Sequence, residues 1–315
     1  MDLGFLKNRL TTEFDYYDRL TTGMNQGSSL SNLLTGAYTP APRINIGNLR
    51  NRGIEGNVTW KDKTGDFYYS INVNASYNTS QLEKWSGYLG RGNTFLNMPY
   101  HFLYGYIDQG IAKTWQDVYN ATPQGISPGD VILKDLNGDG RIDGNDQKAY
   151  PNIQRDRPTT NFGMTTNLSW KGFDLSILLQ GSAGRKDYWL NYFNTTNFAS
   201  TRYASSWTQL DNPWSVSNPN GIWPRLGGSG NNTTTSTFWL DDMSYLRLKN
   251  IQLGYNMPKK WLQRIGVENV RIYATAENLL TLTKFRGLDP AATGSQNDNL
   301  YPVNKSFSIG INIGL

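Results

Sequence analysis

The chain has 315 residues, a net charge of +5 and no cysteine, which excludes a disulfide scaffold, a thiolate metal site and a cysteine nucleophile. Aromatics make up 13%, with 19 Tyr and 10 Trp, glycines number 32, and charged residues are only 17%. No run approaches the roughly 18 to 20 apolar residues of a membrane helix, Met1 opens no signal peptide, and no basic block points to nucleic acid. Such a polar, aromatic-rich chain fits a membrane β-barrel, in which only the outer face must be apolar.

Taken in chain order, period-two alternation predicts eight strands, near 7–20, 44–60, 67–78, 161–170, 173–185, 243–257, 270–283 and 306–315. In the third, Phe67, Tyr69, Ile71, Val73, Ala75 and Tyr77 share one face; Tyr68, Ser70, Asn72, Asn74, Ser76 and Asn78 share the other. Phe162, Met164 and Leu168 do the same in the fourth, and Phe307, Ile309, Ile311 and Ile313 in the last. The connections 21–43, 83–158, 188–240 and 284–302 are long, whereas 61–65 and 171–172 are short and 258–269 is intermediate. Long and short alternate, as in an antiparallel up-and-down transmembrane barrel with loops at one rim and turns at the other. Trp60, Tyr77, Trp170, Phe173, Tyr255, Trp261 and Tyr273 stand near strand ends and read as interfacial girdles. The alternative is a soluble, calcium-dependent β-sandwich that binds carbohydrate.

Within the 83–158 excursion the stretch DLNGDGRIDGND matches a calcium-loop template. Asp135, Asn137 and Asp139 take positions 1, 3 and 5, Gly140 position 6, Arg141 offers a backbone carbonyl at 7, and Asp143 and Asp146 take 9 and 12. Asp146 stands where a longer bidentate Glu is usual. The expected cofactor is a structural Ca²⁺; the competing reading is an Asn/Gly/Asp-rich turn held by its own hydrogen bonds.

Catalytic constellations are missing from the sequence. His101 has no second His or Cys with which to build a triad or zinc site, and Asp241 and Asp242, adjacent on a strand, point to opposite faces and read as solvated. GGSG at 227–230 reads as a flexible tip. The excursions carry aromatic rings suited to a ligand or a protein lid: Trp115, Tyr188, Trp189, Trp207, Trp214 and Trp223, with Tyr119, Tyr192 and Phe193 nearby.

Seven stretches occur in order: DLGFLKNRLTTEFDYYDRLTTGM, NIGNLRNRGIEGNVTW, PGDVILKDLNGDGRIDGNDQ, FDLSILLQGSAGR, SYLRLKNIQLGYNMP, VRIYATAENLLTLTKFRGLDP and YPVNKSFSIGINIGL. Together they resemble the C-terminal part of SusC/RagA-like TonB-dependent outer-membrane transporters of Bacteroidetes. The resemblance implies that residues 1–315 supply about eight strands of a roughly 22-stranded barrel in the outer membrane, with lipid and lipopolysaccharide around it. It also implies a SusD-like surface lipoprotein as lid, a glycan or peptide as substrate, and the TonB system acting through a plug domain that this chain lacks.

Overall fold

The computed structural model describes residues 1–27, 43–86, 95–99, 102–154, 157–188, 212–262, 267–287, 289–292 and 303–314. Nine of its strands form one antiparallel sheet: β1 (Asp2–Phe5), β2 (Leu10–Gly27), β3 (Arg43–Thr64), β4 (Phe67–Trp85), β9 (Thr160–Trp170), β10 (Phe173–Ala183), β13 (Tyr245–Asn256), β14 (Asn269–Thr283) and β15 (Ser306–Gly314). They lie side by side in that same order. All eight expected strands are present. The ninth, β1, folds back on Leu10–Glu13 through Leu6, Lys7 and Asn8, each with φ between 54° and 61°. Three successive non-glycine residues in the left-handed region cost backbone energy and announce no turn in a sequence. The Lys171–Gly172 turn between β9 and β10 is the opposite case: both residues have positive φ, and glycine makes the second unstrained.

Short turns at 6–9, 65–66 and 171–172 and the 257–268 connection share one rim, and the long excursions leave from the other. β5 (Phe102–Tyr106), β6 (Asp108–Ile111), β7 (Val131–Leu133) and β8 (Gln147–Gln154) lie in the second excursion, and β11 (Lys186–Tyr188) and β12 (Leu240–Asp242) in the third. These six form only two-stranded sheets. Among the described residues the large sheet therefore has no second sheet to pack on, as a sandwich would require. Its two edges, β1 and β15, do not meet.

Register settles which side chains share a face. Leu10, Trp60, Ile71, Thr166, Ile177, Ile251, Ala276 and Phe307 form one continuous row across eight strands. On β2 the apolar set runs from that row toward the long-loop rim, through Phe14 to Tyr16; on β15 it runs toward the turn rim, through Ile309 and Ile311 to Ile313. The band thus drifts about 20 Å along the strands while crossing seven inter-strand steps, about 34 Å, which corresponds to a slope of about 30°. Barrel strands tilted roughly 35–45° carry a level membrane belt in this oblique way. The belt is solvent-facing in the isolated chain: Ile309 is 83% exposed, Phe307 71% and Tyr16 70%.

The opposite face is polar and cross-linked. Arg271 donates to Asp174 at 2.5 and 3.0 Å and to Gln252 at 3.0 Å, Asn72 bonds Asn57 and Thr59, and Ser176 bonds Asn167. Tyr273 belongs here and not to a girdle: it pairs with Gly310 and sits under Arg271. Its odd number puts it on the face opposite Ile272. An extra residue at Lys249 shifts the register against both neighbouring strands and reverses the parity on β13, so Leu246 and Leu248 join the apolar face; on β14 the irregularity at Asn278 leaves the parity unchanged, and Leu280 and Leu282 stay on that face with Ile272.

Beyond Tyr16 and Tyr77, toward the long-loop rim, the apolar face turns charged. Arg50 donates to Asp18 at 2.6 and 2.7 Å and to Glu83 at 3.0 Å, and Arg52 reaches Asp18 at 3.0 Å. β2, β3 and β4, at 18, 22 and 19 residues, exceed the roughly 9–11 that cross a bilayer, and these upper halves stand clear of it.

Candidate functional site

The long-loop rim carries the site. Here the excursions fold onto one another, because segments this long need a core of their own. Trp223, Trp239 and Met243 from the third excursion and Phe285 from just beyond β14 form a buried cluster, with Trp223 and Trp239 stacked at 6.2 Å and 6°. A second cluster, Ala112, Ile126 and Ile132 with Val118 and Ala121, underlies helix α1 (Trp115–Asn120). A capping box between Thr114 and Asp117 fixes the start of this helix.

Backbone groups interlock the 86–159 and 184–244 excursions. Tyr106 N–H donates to the Thr235 carbonyl at 3.1 Å, Asp108 N–H to Thr237 Oγ1 at 2.8 Å, and Val131 N–H to Asn232 Oδ1 at 2.8 Å. At their junction lies Asp130, fully buried. Its carboxylate accepts a two-pronged contact from Arg225 at 2.8 and 3.0 Å, the Asn232 side-chain amide at 2.9 Å, and the N–H groups of Ser127 and Ser229 at 2.9 and 3.1 Å. Burial pushes its pKa up, but the Arg225 pair and the other donors outweigh that and hold it below the ordinary carboxylate value. The GGSG segment is therefore no flexible tip. It wraps Asp130, and a Cβ on Gly228 would collide with Asp130 and Asn232.

Two further arginines bind the 284–292 segment. Arg286 forks onto Asp241 at 2.6 and 2.8 Å and lies 5.1 Å from the Trp223 ring centre. Asp241 is buried in this pair, whereas Asp242 is exposed and accepts from Ser244; the expected solvation of both holds for one. Arg247, on the polar face of β13, reaches Asp289 at 2.7 Å and Thr281 at 3.0 Å. None of these charged residues stands out by type or spacing. Asp130, Arg247, Arg286 and Asp289 nevertheless lie inside the stretches that carry the family resemblance.

The six rings expected at a ligand or lid separate. Trp115 is 56% exposed and stacks at 6.1 Å on Tyr119, 76% exposed. Trp223 is 4% exposed and anchors the loop core, because a ring that size is what the segment has to bury. Trp214 is half-buried against Gly129, and Tyr188 half-buried beside Gly105. Trp189 and Trp207 lie outside the described residues, as do Tyr192, Phe193 and His101.

In the DLNGDGRIDGND loop, Gly138 and Gly140 have φ of 74° and 81°, as the tight turns require. Asp135 accepts the N–H groups of Gly138 and Gly140 at 2.7 and 2.9 Å, Asn137 that of Asp139 at 3.0 Å, and Asp139 that of Arg141 at 2.9 Å. Asp143 accepts Asn145 N–H at 2.7 Å, and buried Asp146 accepts those of Leu136 and Asp143, each at 2.8 Å. Burial pushes the Asp146 pKa up, but the backbone donors outweigh it and hold the carboxyl below its ordinary value. Among the described residues no three His, Cys, Asp or Glu side chains come together in a metal-holding group.

A single antiparallel sheet with an oblique apolar belt on one face, a polar ladder on the other and a structured loop assembly at one rim has the architecture of a piece of transmembrane β-barrel wall. No family model matches the chain. Among curated proteins it is 30% identical to TonB-dependent receptor P3 of Formosa agariphila, covering 99% of this chain and 33% of that one. It is 28% identical to TonB-dependent receptor SusC of Bacteroides thetaiotaomicron, covering 99% and 31%. Among solved structures, the RagAB peptide transporter superposes with a TM-score of 0.76 at 24% identity over 99% of this chain and 34% of that one. The RagAB peptide importer in its open-open state gives 0.73 at 22% over 99% and 33%. The chain thus spans about a third of the length of the relatives it matches, and nearly all of it is similar to TonB-dependent receptors, as its motifs imply. Such receptors are outer-membrane transporters rather than enzymes, and the apolar belt fits that location.

Proposed function

We propose that this chain supplies part of the wall and the external mouth of a TonB-dependent importer of a glycan or peptide. The carrying observation is that the described parts of the 86–159, 184–244 and 284–292 excursions lie at the rim beyond the charged rows and pack on one another. The C-terminal position in a barrel of about 22 strands, the SusD-like lipoprotein lid and a plug engaging the TonB system belong to this reading and rest on the resemblance. The polar face lines the lumen. The exposed Trp115–Tyr119 pair, on a capped helix over its own small core, is the surface best suited to the lid. Replacing Trp115 and Tyr119 together with alanine weakens lid association or uptake at least tenfold and leaves the barrel folded; unchanged association and uptake refute that assignment.

We also propose a structural Ca²⁺ in the 135–146 loop, supported by its spacing and two left-handed glycines. The carboxylates must come together around the ion, so binding rearranges the loop and affinity is modest. Identical limited proteolysis of the loop with calcium and with chelator refutes it.

A further inference from the structure

Three ion pairs join the mouth in series. Asp130 of the 86–159 excursion pairs with Arg225 of the 184–244 excursion, Asp241 of the latter with Arg286, and Asp289, three residues beyond Arg286, with Arg247 on the sheet itself. Each pair has at least one nearly buried partner: Asp130, Asp241 and Arg247 are all under 10% exposed. The elements between the pairs are short and themselves anchored. Asn232 links Val131 to the Trp239 indole, Phe285 lies in the Trp223–Trp239 cluster, and Arg185 at the end of β10 donates to the Ala292 carbonyl. α1 joins the first link directly, since Ala112 N–H bonds the Asp130 carbonyl at 2.9 Å and Gly129 N–H bonds the Ala112 carbonyl at 2.6 Å.

We propose that the three excursions move as one body, and that the pairs Asp130–Arg225, Asp241–Arg286 and Asp289–Arg247 transmit displacement of the α1 excursion to the 285–292 segment on the polar face of β13. Packed side chains alone would let each excursion open separately. Buried pairs resist this, because separating either partner leaves a desolvated charge unpaired. Opening at the first link therefore carries that cost into the second unless the intervening segment follows. The result is a mechanical connection from the exposed aromatic pair to the barrel wall, and it does not depend on what the receptor carries.

Amide hydrogen exchange of the complete receptor in detergent reads the coupling residue by residue. Asp130→Asn speeds exchange about tenfold or more at 127–131 and 225–232, and by a comparable factor at 286–292, a segment far along the chain from Asp130 and in no direct contact with it. β9 and β10 stay protected. Asp241→Asn frees 286–292 by itself, and adding Asp130→Asn to it produces no further change there. Acceleration confined to 127–131 and 225–232, or additive effects in the double variant, overturns the proposal. Arg225→Lys, which keeps the charge and loses the fork, gives the same pattern at smaller amplitude should Asp130→Asn fail to assemble.

Discussion

The sheet and the loop assembly are built on opposite rules. In the sheet, large apolar side chains such as Ile309, Ile311 and Phe307 are the exposed ones, and arginine and carboxylate meet on the other face. In the loop assembly, Trp239, Phe102, Leu103 and Val131 are buried, and the ordinary protein cores among the described residues are found there. The wall is thus arranged for a hydrocarbon solvent outside and water inside, whereas the mouth is arranged as a water-soluble domain. One chain changes solvent between Tyr16 and Asp18, and between Ile54 and Arg52.

The sharpest way to separate the two regions is to destroy one core and watch the other. Trp239→Ala removes the largest fully buried side chain and costs the loop assembly about 3–5 kcal/mol. Pulse proteolysis should then cut the 212–244 region readily while the sheet keeps its resistance. Loss of both together would mean that the wall needs the mouth in order to fold.

The converse substitution acts on the wall. Val73→Arg places a charge in the middle of the belt and costs about 2–4 kcal/mol of folding stability in bilayers. Asn72→Arg, one residue away on the polar face beside Asn57 and Thr59, should cost far less. Equal losses would contradict the assignment of faces.

Acid distinguishes the regions more gently. Asp130 has a depressed pKa, so its contribution to the mouth is fully present above the unfolded value of about 3.9 and is lost as pH falls through the lower folded value. Loop protection, measured relative to the intrinsic amide exchange rate at each pH, should hence stay flat from about pH 8 to pH 5 and fall only below about 4. A fall near neutrality would mean another group governs the mouth.

At the surface the effect should be smallest. Tyr119→Ala, at a largely exposed ring, should change stability by less than about 0.5 kcal/mol. A larger loss would show that the ring supports α1 instead of being available to a partner.

The wall was largely legible because alternation and lipid exposure are the same fact. Phe67, Val73, Met164 and Ile311 lie on the face their numbering predicts. What parity could not show is the set of bulges. Lys249 breaks the count on β13, so Leu248 joins a face that strict alternation from Ile251 would deny it. Nor could it show the β1 turn, made without glycine. The mouth was less legible. Trp115 and Trp223 look alike in sequence, yet one is displayed and the other buried, because Trp223 packs with Trp239, Met243 and Phe285, all well beyond its local sequence neighbourhood. Asp130 and Arg225 are 95 positions apart, beyond any local signal. The DLNGDGRIDGND spacing is compatible with both a cation and the backbone N–H groups that its carboxylates accept.

The account stands or falls on the belt facing lipid. The sequence has no cysteine, so single cysteines at positions 72 and 73 can each carry a fluorophore in an otherwise unlabelled chain. In bilayers containing lipids brominated in the acyl chains, the label on Val73→Cys should be strongly quenched and the label on Asn72→Cys hardly at all. Equal quenching at the two sites, or stronger quenching at position 72, would contradict it.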